Sequence, residues 1–296
     1  MIRDFIRENN IRYKENISLK RYNTYRLDVK CKYIVFPDTY DKIISLIKYL
    51  KENNIKYMFL GNGSNTIFKC HKYDGVIIKL DELNSIKIED NHITVGAGCL
   101  LLKLAATTIN EGLSGLEFAG AIPGEVGAST CMNAGAYNES MSDVVTRVKA
   151  IDRDLNISMF TNEEMKFSYR SSLFKNNPDF VIVEVEMDLK PGDKQEMHEV
   201  VKRRIIKRKE SQPLEYPSAG SVFRNPEGMY AGSLIEKLGL KGYTIGGAQV
   251  SLKHANFIIN TGNATGDDIV ELIEYIRNRV KEAYDIDLIL EQIIIE

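Results

Sequence analysis

The spacing of apolar residues along the chain predicts strands and amphipathic helices in alternation. Helical spacing is clear in "YDKIISLIKYLKENN", whose apolar face consists of Ile43, Ile44, Ile47 and Leu50. A short strand at 33–37 precedes this helix, and the apolar run of "YMFLGNGSN" and the segment "GVIIKL" at 75–80 predict two more strands. The N-terminal part of the chain is therefore predicted to be a small α/β unit.

Alternation with a period of two dominates the middle of the chain. The segment "IKIEDNHITVGAG", at 86–98, predicts a hairpin whose turn is Asp90–Asn91. The next segment, "LLLKLAATTINEG", predicts a helix that ends at Gly112. Because "VKAIDRDLNISMF" and "FVIVEVEMDLK" also alternate, we expect an antiparallel sheet in this part.

The C-terminal part begins after Pro191–Gly192, and its apolar positions again favour helices. A basic helix is predicted over roughly 193–210, with four apolar residues facing inward: Val200, Val201, Ile205 and Ile206. After a linker, "SQPLEYPSAGS", we expect a helix at "GSLIEKLG" and a strand at "FIIN". A long helix follows, which Thr265 and Asp268 can open as a capping box, and the apolar run "LILEQIII" predicts a terminal strand.

Composition and charge restrict the class of protein. The 296 residues are 44% hydrophobic, enough for a sizeable core, and 39 basic residues are balanced by 41 acidic ones. This charge balance indicates no nucleic-acid or anionic-membrane partner. No window approaches the ~20 apolar residues of a membrane span. The charged N-terminus does not resemble a signal peptide. The cysteines are isolated, which indicates reduced thiols and no metal site: Cys31, Cys70, Cys99 and Cys131. We therefore expect a soluble cytoplasmic enzyme.

A glycine-containing segment, "LGNGSN", follows a predicted strand and is a candidate anion site. Such a loop can direct successive backbone N–H groups at an anion, and Ser64 adds a hydroxyl donor. A plain strand-to-loop turn is an equally good interpretation of the glycines. The segment is not a dinucleotide-binding fingerprint of the GxGxxG type, because Thr66 stands where that pattern requires glycine, and the chain contains no GxxxxGK[ST].

A second segment, "AIPGEVGASTCMNAGAY" at 121–137, contains almost no large side chains. Pro123 stands where a helix is expected to begin, and Gly124 and Gly127 are predicted to leave N–H groups free at its positive end. A flat ligand that carries a diphosphate would suit this surface. The alternative is close packing of the segment against a neighbouring helix, which also favours small residues.

Five segments, in this order, resemble the UDP-N-acetylenolpyruvoylglucosamine reductase family: "LGNGSNTIF", "GLSGLEFAGAIPGEVGASTCMNAGAY", "FSYRSSLFK", "YPSAGSVFRNP" and "KHANFIINTGNAT". The likeness extends from about Asn23 to the C-terminus. It implies an α+β chain with the vanillyl-alcohol-oxidase-like (PCMH-type) FAD-binding fold. Two lobes, 1–80 and 81–192, would bind FAD, and an α+β domain at 193–296 would bind the substrate. The short interval after Arg170 resembles the shorter subclass of the family.

The resemblance implies one non-covalently bound FAD, with NADPH as co-substrate. It assigns FAD binding to residues of both glycine-containing segments: Gly61, Asn62, Gly63, Ser64, Asn65, Ala119, Gly120, Ile122, Pro123, Gly124, Val126, Gly127, Ala128, Asn133, Gly135 and Ala136. The small side chains would then let the backbone lie against the cofactor. The implied substrate is UDP-N-acetyl-3-O-(1-carboxyvinyl)-glucosamine, a precursor of bacterial peptidoglycan, and the expected state is a monomer.

The implied reaction reduces the enolpyruvyl ether to a lactyl ether, with hydride delivered to C3 and a proton to C2. Arg170 in "FSYRSS" matches the arginine that grips the carboxylate, Ser221 in "SAGSVFRNP" matches the proton donor, and Glu291 in "LILEQIII" matches the glutamate that stabilises the enol-like intermediate. Tyr169 and Asn225 are expected to contact the substrate. Near Glu291 the family often has Glu-Pro or Glu-Glu, whereas this chain has Gln292.

Two other functions remain open from the sequence. The same FAD scaffold carries hydroxyacid and sugar oxidases, which often attach the flavin through His or Cys and lack the three catalytic residues as spaced here. A catalytically silent nucleotide-binding protein is the second alternative. His254 in "KHANFIIN" has a packing role or a ligand role, and the basic run "KRRIIKRK" is interpreted as a solvated helix face.

Overall fold

The computed structural model describes residues 2–296 and divides the chain into two compact units. The first unit consists of Met1–Glu15, Tyr33–Gly61 and Gly75–Ile206. The second consists of Asn16–Lys32, Asn62–Asp74 and Lys207–Glu296. No helix among residues 2–296 is long and apolar enough to cross a lipid bilayer.

The α-helices are α1 (Ile2–Glu8), α2 (Tyr40–Glu52), α3 (Leu101–Asn110), α4 (Val126–Cys131), α5 (Leu173–Asn176), α6 (Lys194–Ser211), α7 (Ala231–Lys237) and α8 (Gly266–Tyr284). Short 3-10 helices span Leu19–Arg21, Glu117–Ala121 and Met141–Asp143. The strands are β1 (Arg12–Ser18), β2 (Lys30–Phe36), β3 (Tyr57–Phe59), β4 (Thr66–Phe68), β5 (Lys72–Ile78), β6 (Ile86–Glu89), β7 (His92–Gly96), β8 (Leu113–Ser114), β9 (Gly135–Ala136), β10 (Glu139–Ser140), β11 (Val145–Ile151), β12 (Ile157–Thr161), β13 (Val181–Asp188), β14 (Lys190–Pro191), β15 (Thr244–Ile245), β16 (Ala248–Val250), β17 (Ile258–Asn260) and β18 (Ile293–Ile295).

The first unit contains the predicted antiparallel sheet, with strand order β12-β11-β13-β7-β6. The predicted hairpin is confirmed as β6–β7, and Asp90 adopts the left-handed backbone of its turn, with φ of 55°. One face of the sheet belongs to a large apolar core that also contains Leu101, Leu104 and Phe118. Elsewhere in this unit β3 pairs in parallel with β5, and the predicted helix α2 contributes Leu46 and Leu50 to a second core.

Helix α6 has the predicted extent but not the predicted buried face. Met197 is the buried residue of the helix, whereas Ile206, predicted to face inward, is 48% exposed. The helix contacts its unit through Met197, near Gly192, and through Val201, near Gly120. Because Ile206 lies five residues beyond Val201, it points about 140° away from that face.

In the second unit, β15, β16 and β17 form an antiparallel sheet, and β18 pairs in parallel with β4. The predicted terminal strand is shorter than its apolar run, because it begins only at Ile293. The preceding residues pair elsewhere: Leu290 forms an antiparallel bridge with Phe223. Glu291 therefore lies between two pairings and not within a strand.

The capping box of α8 is confirmed. Thr265 Oγ1 accepts a hydrogen bond of 3.1 Å from the backbone N–H of Asp268, and the Asp268 carboxylate accepts one of 2.9 Å from the N–H of Thr265. Replacing Thr265 by alanine is expected to lower the free energy of unfolding by about 1 kcal/mol, because one N–H group at the helix end loses its acceptor. Denaturant unfolding of Thr265→Ala measures the loss, and Thr107→Ala within α3 is the control. Equal stability of both variants would show that the cap contributes nothing.

Candidate active site

The loop Asn62–Asn65 lies in the second unit and offers unused backbone donors. The N–H groups of Asn62, Gly63 and Ser64 have no hydrogen-bond acceptor among residues 2–296. Gly63 has φ of +63°, and a Cβ atom on it would lie 2.3 Å from the carbonyl oxygen of Tyr22. The glycine is therefore required by the chain itself, while the three free N–H groups fit the oxygens of a bound anion such as a diphosphate.

The segment around Pro123 lies in the first unit, and it differs from the predicted helix start. Helix α4 begins at Val126, and the N–H group of Gly127, predicted to be free, donates to the carbonyl of Ala97 at 2.8 Å. This prediction is wrong because Gly127 packs against Ala97, where a Cβ atom would lie 2.7 Å from the Ala97 Cβ. The N–H groups without an acceptor among residues 2–296 are instead those of Gly124, Glu125 and Ala128.

Close packing within the first unit accounts for several of the small residues. A Cβ atom on Gly61 would lie 3.0 Å from the Cβ of Ala128, and one on Gly120 would lie 2.8 Å from a methyl group of Val201. Gly135 is similarly enclosed, with the carbonyl oxygen of Glu139 at 2.4 Å from a Cβ position. The small side chains thus allow the chain to pack closely on itself.

The remaining residues of the candidate cofactor set differ in exposure. Ala119 and Val126 are fully buried, Ile122 and Ala136 are half-buried, and Pro123 is exposed. Asn133 is buried, and its side chain is used within the unit. Its Nδ2 donates to the Ser168 carbonyl at 3.0 Å, and its Oδ1 accepts from the N–H of Ser142 at 3.0 Å.

Arg170 occupies a strained turn beside the small-residue segment. Its backbone is left-handed, with φ of 55°, between Ser168 and Ser171, which form a tight antiparallel bridge. Lys175 Nζ donates to the Arg170 carbonyl at 3.0 Å, and Arg170 Nη2 donates to the carbonyl of Gly135 at 2.8 Å. The guanidinium carbon also lies 5.5 Å from the ring centre of Tyr169, which is 55% exposed. The structure thus fixes the backbone from which this cation projects.

In the second unit, Ser221 and Glu291 lie on adjacent antiparallel segments. The N–H of Glu291 donates to the Val222 carbonyl at 2.8 Å, so the glutamate faces the residue that follows Ser221. Asn65 Nδ2 donates to the Glu291 carbonyl at 3.0 Å, which ties the same segment to the glycine loop. A hydroxyl, a carboxylate and three free N–H groups are therefore contributed by neighbouring parts of one unit.

Asn225 and His254 make contacts that sequence reasoning did not predict. Asn225 is exposed, and its Oδ1 accepts from the N–H of Ala231 at the start of α7, at 3.1 Å. His254 is half-buried beside Phe257, and its Nδ1 accepts from the N–H of Asn256 at 3.2 Å. Burial and the nearby Lys241 lower the pKa of His254 below its ordinary value. These contacts favour the packing role of His254.

Comparison with family models and with known relatives identifies the family to which the chain belongs. Residues 212–295 match the family model described as UDP-N-acetylenolpyruvoylglucosamine reductase, C-terminal domain, and residues 31–157 match that of an FAD binding domain. A UDP-N-acetylenolpyruvoylglucosamine reductase of Caldanaerobacter subterraneus subsp. tengcongensis is 42% identical over 276 residues, which are 93% of this chain and 91% of that protein. The chain belongs to the UDP-N-acetylenolpyruvoylglucosamine reductase family.

Other members of the reductase family agree in sequence and in structure. The reductase of Lactobacillus helveticus is 42% identical over 283 residues, 96% of this chain and 95% of that protein. The crystal structure of the reductase from Thermus caldophilus superimposes with a TM-score of 0.82 at 32% identity, over 97% of this chain and all of that one. The predicted fold class is confirmed: the chain has the vanillyl-alcohol-oxidase-like FAD-binding fold with mixed α and β structure.

Sequence reasoning missed a buried ion pair in the first unit of this reductase-family chain. Lys79 Nζ donates to Glu125 Oε1 at 2.8 Å and to the carbonyls of Leu60 and Gly61 at 3.2 and 2.8 Å. Lys79 and Glu125 are only 5% and 6% exposed, and burial raises the pKa of Glu125. Through these contacts the pair connects Gly61, in the loop after β3, with Glu125, the residue that precedes α4. Its signal in the sequence is a lysine within the apolar run "GVIIKL".

Proposed function

We propose that the chain is an NADPH-dependent reductase that converts UDP-N-acetyl-3-O-(1-carboxyvinyl)-glucosamine into UDP-N-acetylmuramate, a step in peptidoglycan precursor synthesis. The two relatives named above carry the name of this reductase, and the match covers 91% and 95% of their lengths. The observation that supports the proposal most directly is the adjacency of Ser221 and Glu291 in the second unit, beside Asn65 of the glycine loop. We propose the lobes 1–80 and 81–192 for FAD, the domain 193–296 for the substrate, and a monomeric state.

The residues present fit an FAD cofactor. The free N–H groups of Asn62, Gly63 and Ser64 suit the diphosphate oxygens. When bound, FAD would accept hydride from NADPH and deliver it to C3 of the enolpyruvyl group.

The chain's own residues would then stabilise charge and move a proton. The guanidinium of Arg170 can hold the substrate carboxylate through two N–H donors and stays charged at any working pH. Ser221 would deliver the proton to C2, and Glu291 would stabilise the enol-like intermediate. Tyr169, which is exposed beside Arg170, and Asn225 are proposed substrate contacts.

An anaerobic titration tests the proposed reaction. The purified yellow protein is titrated with NADPH and then with the enolpyruvyl sugar nucleotide, while flavin absorbance is recorded. We expect NADPH to bleach the flavin and the sugar nucleotide to restore its colour. Flavin that NADPH cannot bleach would favour a catalytically silent nucleotide-binding protein. Flavin whose colour changes with hydroxyacids or sugars instead would favour an oxidase.

We also expect one FAD per chain, bound without a covalent bond. The glycine loop offers Asn62 and Ser64, and no histidine or cysteine, at the position where tethered relatives of this fold carry an attachment residue. Acid precipitation of the yellow protein should leave the flavin in the supernatant, where its absorbance gives the stoichiometry. Yellow colour retained on the denatured chain would contradict this prediction.

A further inference from the structure

Gln292 makes an unusual set of contacts in the second unit. Its Nε2 donates to three successive carbonyls, those of Ala219, Gly220 and Ser221, at 3.0, 3.2 and 3.4 Å. Its Oε1 accepts from the hydroxyl of Tyr25 at 3.0 Å. Gln292 is 4% exposed and Tyr25 is fully buried, so this polar pair is shielded from water.

The orientation of the amide follows from the chemistry of its partners. Backbone carbonyls can only accept, so the NH2 group must face the three carbonyls and the oxygen must face Tyr25. Burial raises the pKa of Tyr25 above its ordinary value, so its hydroxyl keeps the proton that it donates to Gln292. The contacts of the pair are therefore mutually consistent.

The turn that Gln292 contacts has no other comparable support. Gly220 has φ of +75° and open space where a Cβ atom would be, and no other group among residues 2–296 donates to the three carbonyls. The chain that follows is held independently, because the N–H of Val222 donates to the Asn256 carbonyl at 2.9 Å. Because glycine can adopt many backbone conformations, the Gln292 amide is needed to hold the turn before Ser221 in one conformation.

We propose that Gln292 is a positioning residue that holds the Ala219–Ser221 turn and thereby aims the Ser221 hydroxyl at the atom it protonates. The inference rests on the proposed role of Ser221. A displacement of about 1 Å at a proton donor can slow a reaction roughly 100-fold, so a residue that fixes this turn affects the rate without contacting the substrate. An apolar side chain of similar size would fill the same space but could not donate hydrogen bonds to the three carbonyls of the turn.

Two single variants and their combination separate positioning from packing. In Gln292→Leu the hydroxyl of Tyr25 loses its acceptor, so we expect a lower melting temperature and reoxidation of the reduced flavin by substrate about 10-fold slower or more. Reduction by NADPH should stay near the wild-type rate. In Tyr25→Phe/Gln292→Leu both buried polar partners are replaced, so the melting temperature should largely recover while reoxidation stays slow. Tyr25→Phe alone should affect stability more than reoxidation.

A charged variant adds a pH-dependent signature. In Gln292→Glu a protonated carboxyl can still donate to one carbonyl, whereas the ionised carboxylate faces three acceptors and can donate to none. Reoxidation in this variant should therefore be fastest at low pH and decline as pH rises, relative to the wild type. The matched control is Gln249→Leu, because Gln249 Nε2 also donates to a glycine carbonyl in the same unit, at 3.4 Å from Gly242 O.

The outcomes distinguish this inference from the proposed function. Slow reoxidation in both Ser221→Ala and the stable double variant, with normal rates in Gln249→Leu, supports the positioning role. Slow reoxidation in Ser221→Ala with normal reoxidation in Gln292→Leu overturns the positioning role alone. Recovery of both stability and rate in the double variant also overturns it. Normal reoxidation in Ser221→Ala overturns the role of Ser221 and the inference with it.

Discussion

Ser221→Ala is expected to leave reduction of the flavin by NADPH nearly unchanged and to slow its reoxidation by the enolpyruvyl substrate about 10²–10⁴-fold. The predicted loss is that of a general acid, since alanine cannot supply a proton to C2. Alanine fits most backbone conformations that serine adopts, and the Ser221 contact with Gln292 is made by the backbone carbonyl, which the variant retains. Stopped-flow absorbance of each half-reaction separates the two steps.

Ser221→Cys tests whether proton donation is the role. A free thiol has a pKa of about 8.5, far below that of a hydroxyl, so cysteine should restore part of the reoxidation rate. Ser233→Ala in α7 is the control, because Ser233 is exposed and its hydroxyl has no hydrogen-bond partner among residues 2–296. Near-wild-type reoxidation in Ser221→Ala would remove this serine from the mechanism.

Local periodicity predicted the elements that depend on neighbouring residues. The apolar face of α2 and the turn of the β6–β7 hairpin are formed by residues close in sequence, so their patterns are legible in the chain itself. The capping box of α8 is equally local, because Thr265 and Asp268 are three residues apart. These predictions needed no knowledge of the rest of the fold.

Predictions failed where a distant segment decided the outcome. The N–H of Gly127 is used by Ala97, and the apolar run around Glu291 is divided between Phe223 and the strand β4. Neither pairing has a periodic signal, because each is set by long-range contacts. An apolar run indicates burial but does not identify the segment that covers it.

The candidate site was only partly legible in the sequence. Glycine spacing suggested an anion site, but the roles of Arg170, Ser221 and Glu291 came from the family resemblance. The supporting pairs were missed, because Lys79 lies 46 residues from Glu125 and Tyr25 lies 267 residues from Gln292. A polar residue within an apolar run was the available signal in both cases, and such a residue requires a partner when buried.

Arg170→Lys is expected to slow reoxidation of the flavin by the enolpyruvyl substrate about 10²–10³-fold, with little change in reduction by NADPH. Lysine keeps the positive charge but loses the planar pair of donors that can hold a carboxylate in one orientation. The backbone should be preserved, because Lys175 donates to the Arg170 carbonyl at 3.0 Å whichever side chain is present. The loss is therefore assigned to carboxylate binding and not to a disrupted turn.

The control for this variant is Arg147→Lys, because Arg147 forms an ion pair with Glu186 on the sheet of the same unit, 3.0 Å from Nε to the carboxylate. Both variants make the same chemical change, and both half-reactions of each are followed by stopped-flow absorbance. A substrate carboxylate held by Arg170 is present only in the reoxidation step, so only Arg170→Lys should separate the two rates. Equal slowing of both steps in Arg170→Lys would instead identify Arg170 as a structural residue, whose contact with the Gly135 carbonyl maintains the proposed cofactor-binding segment.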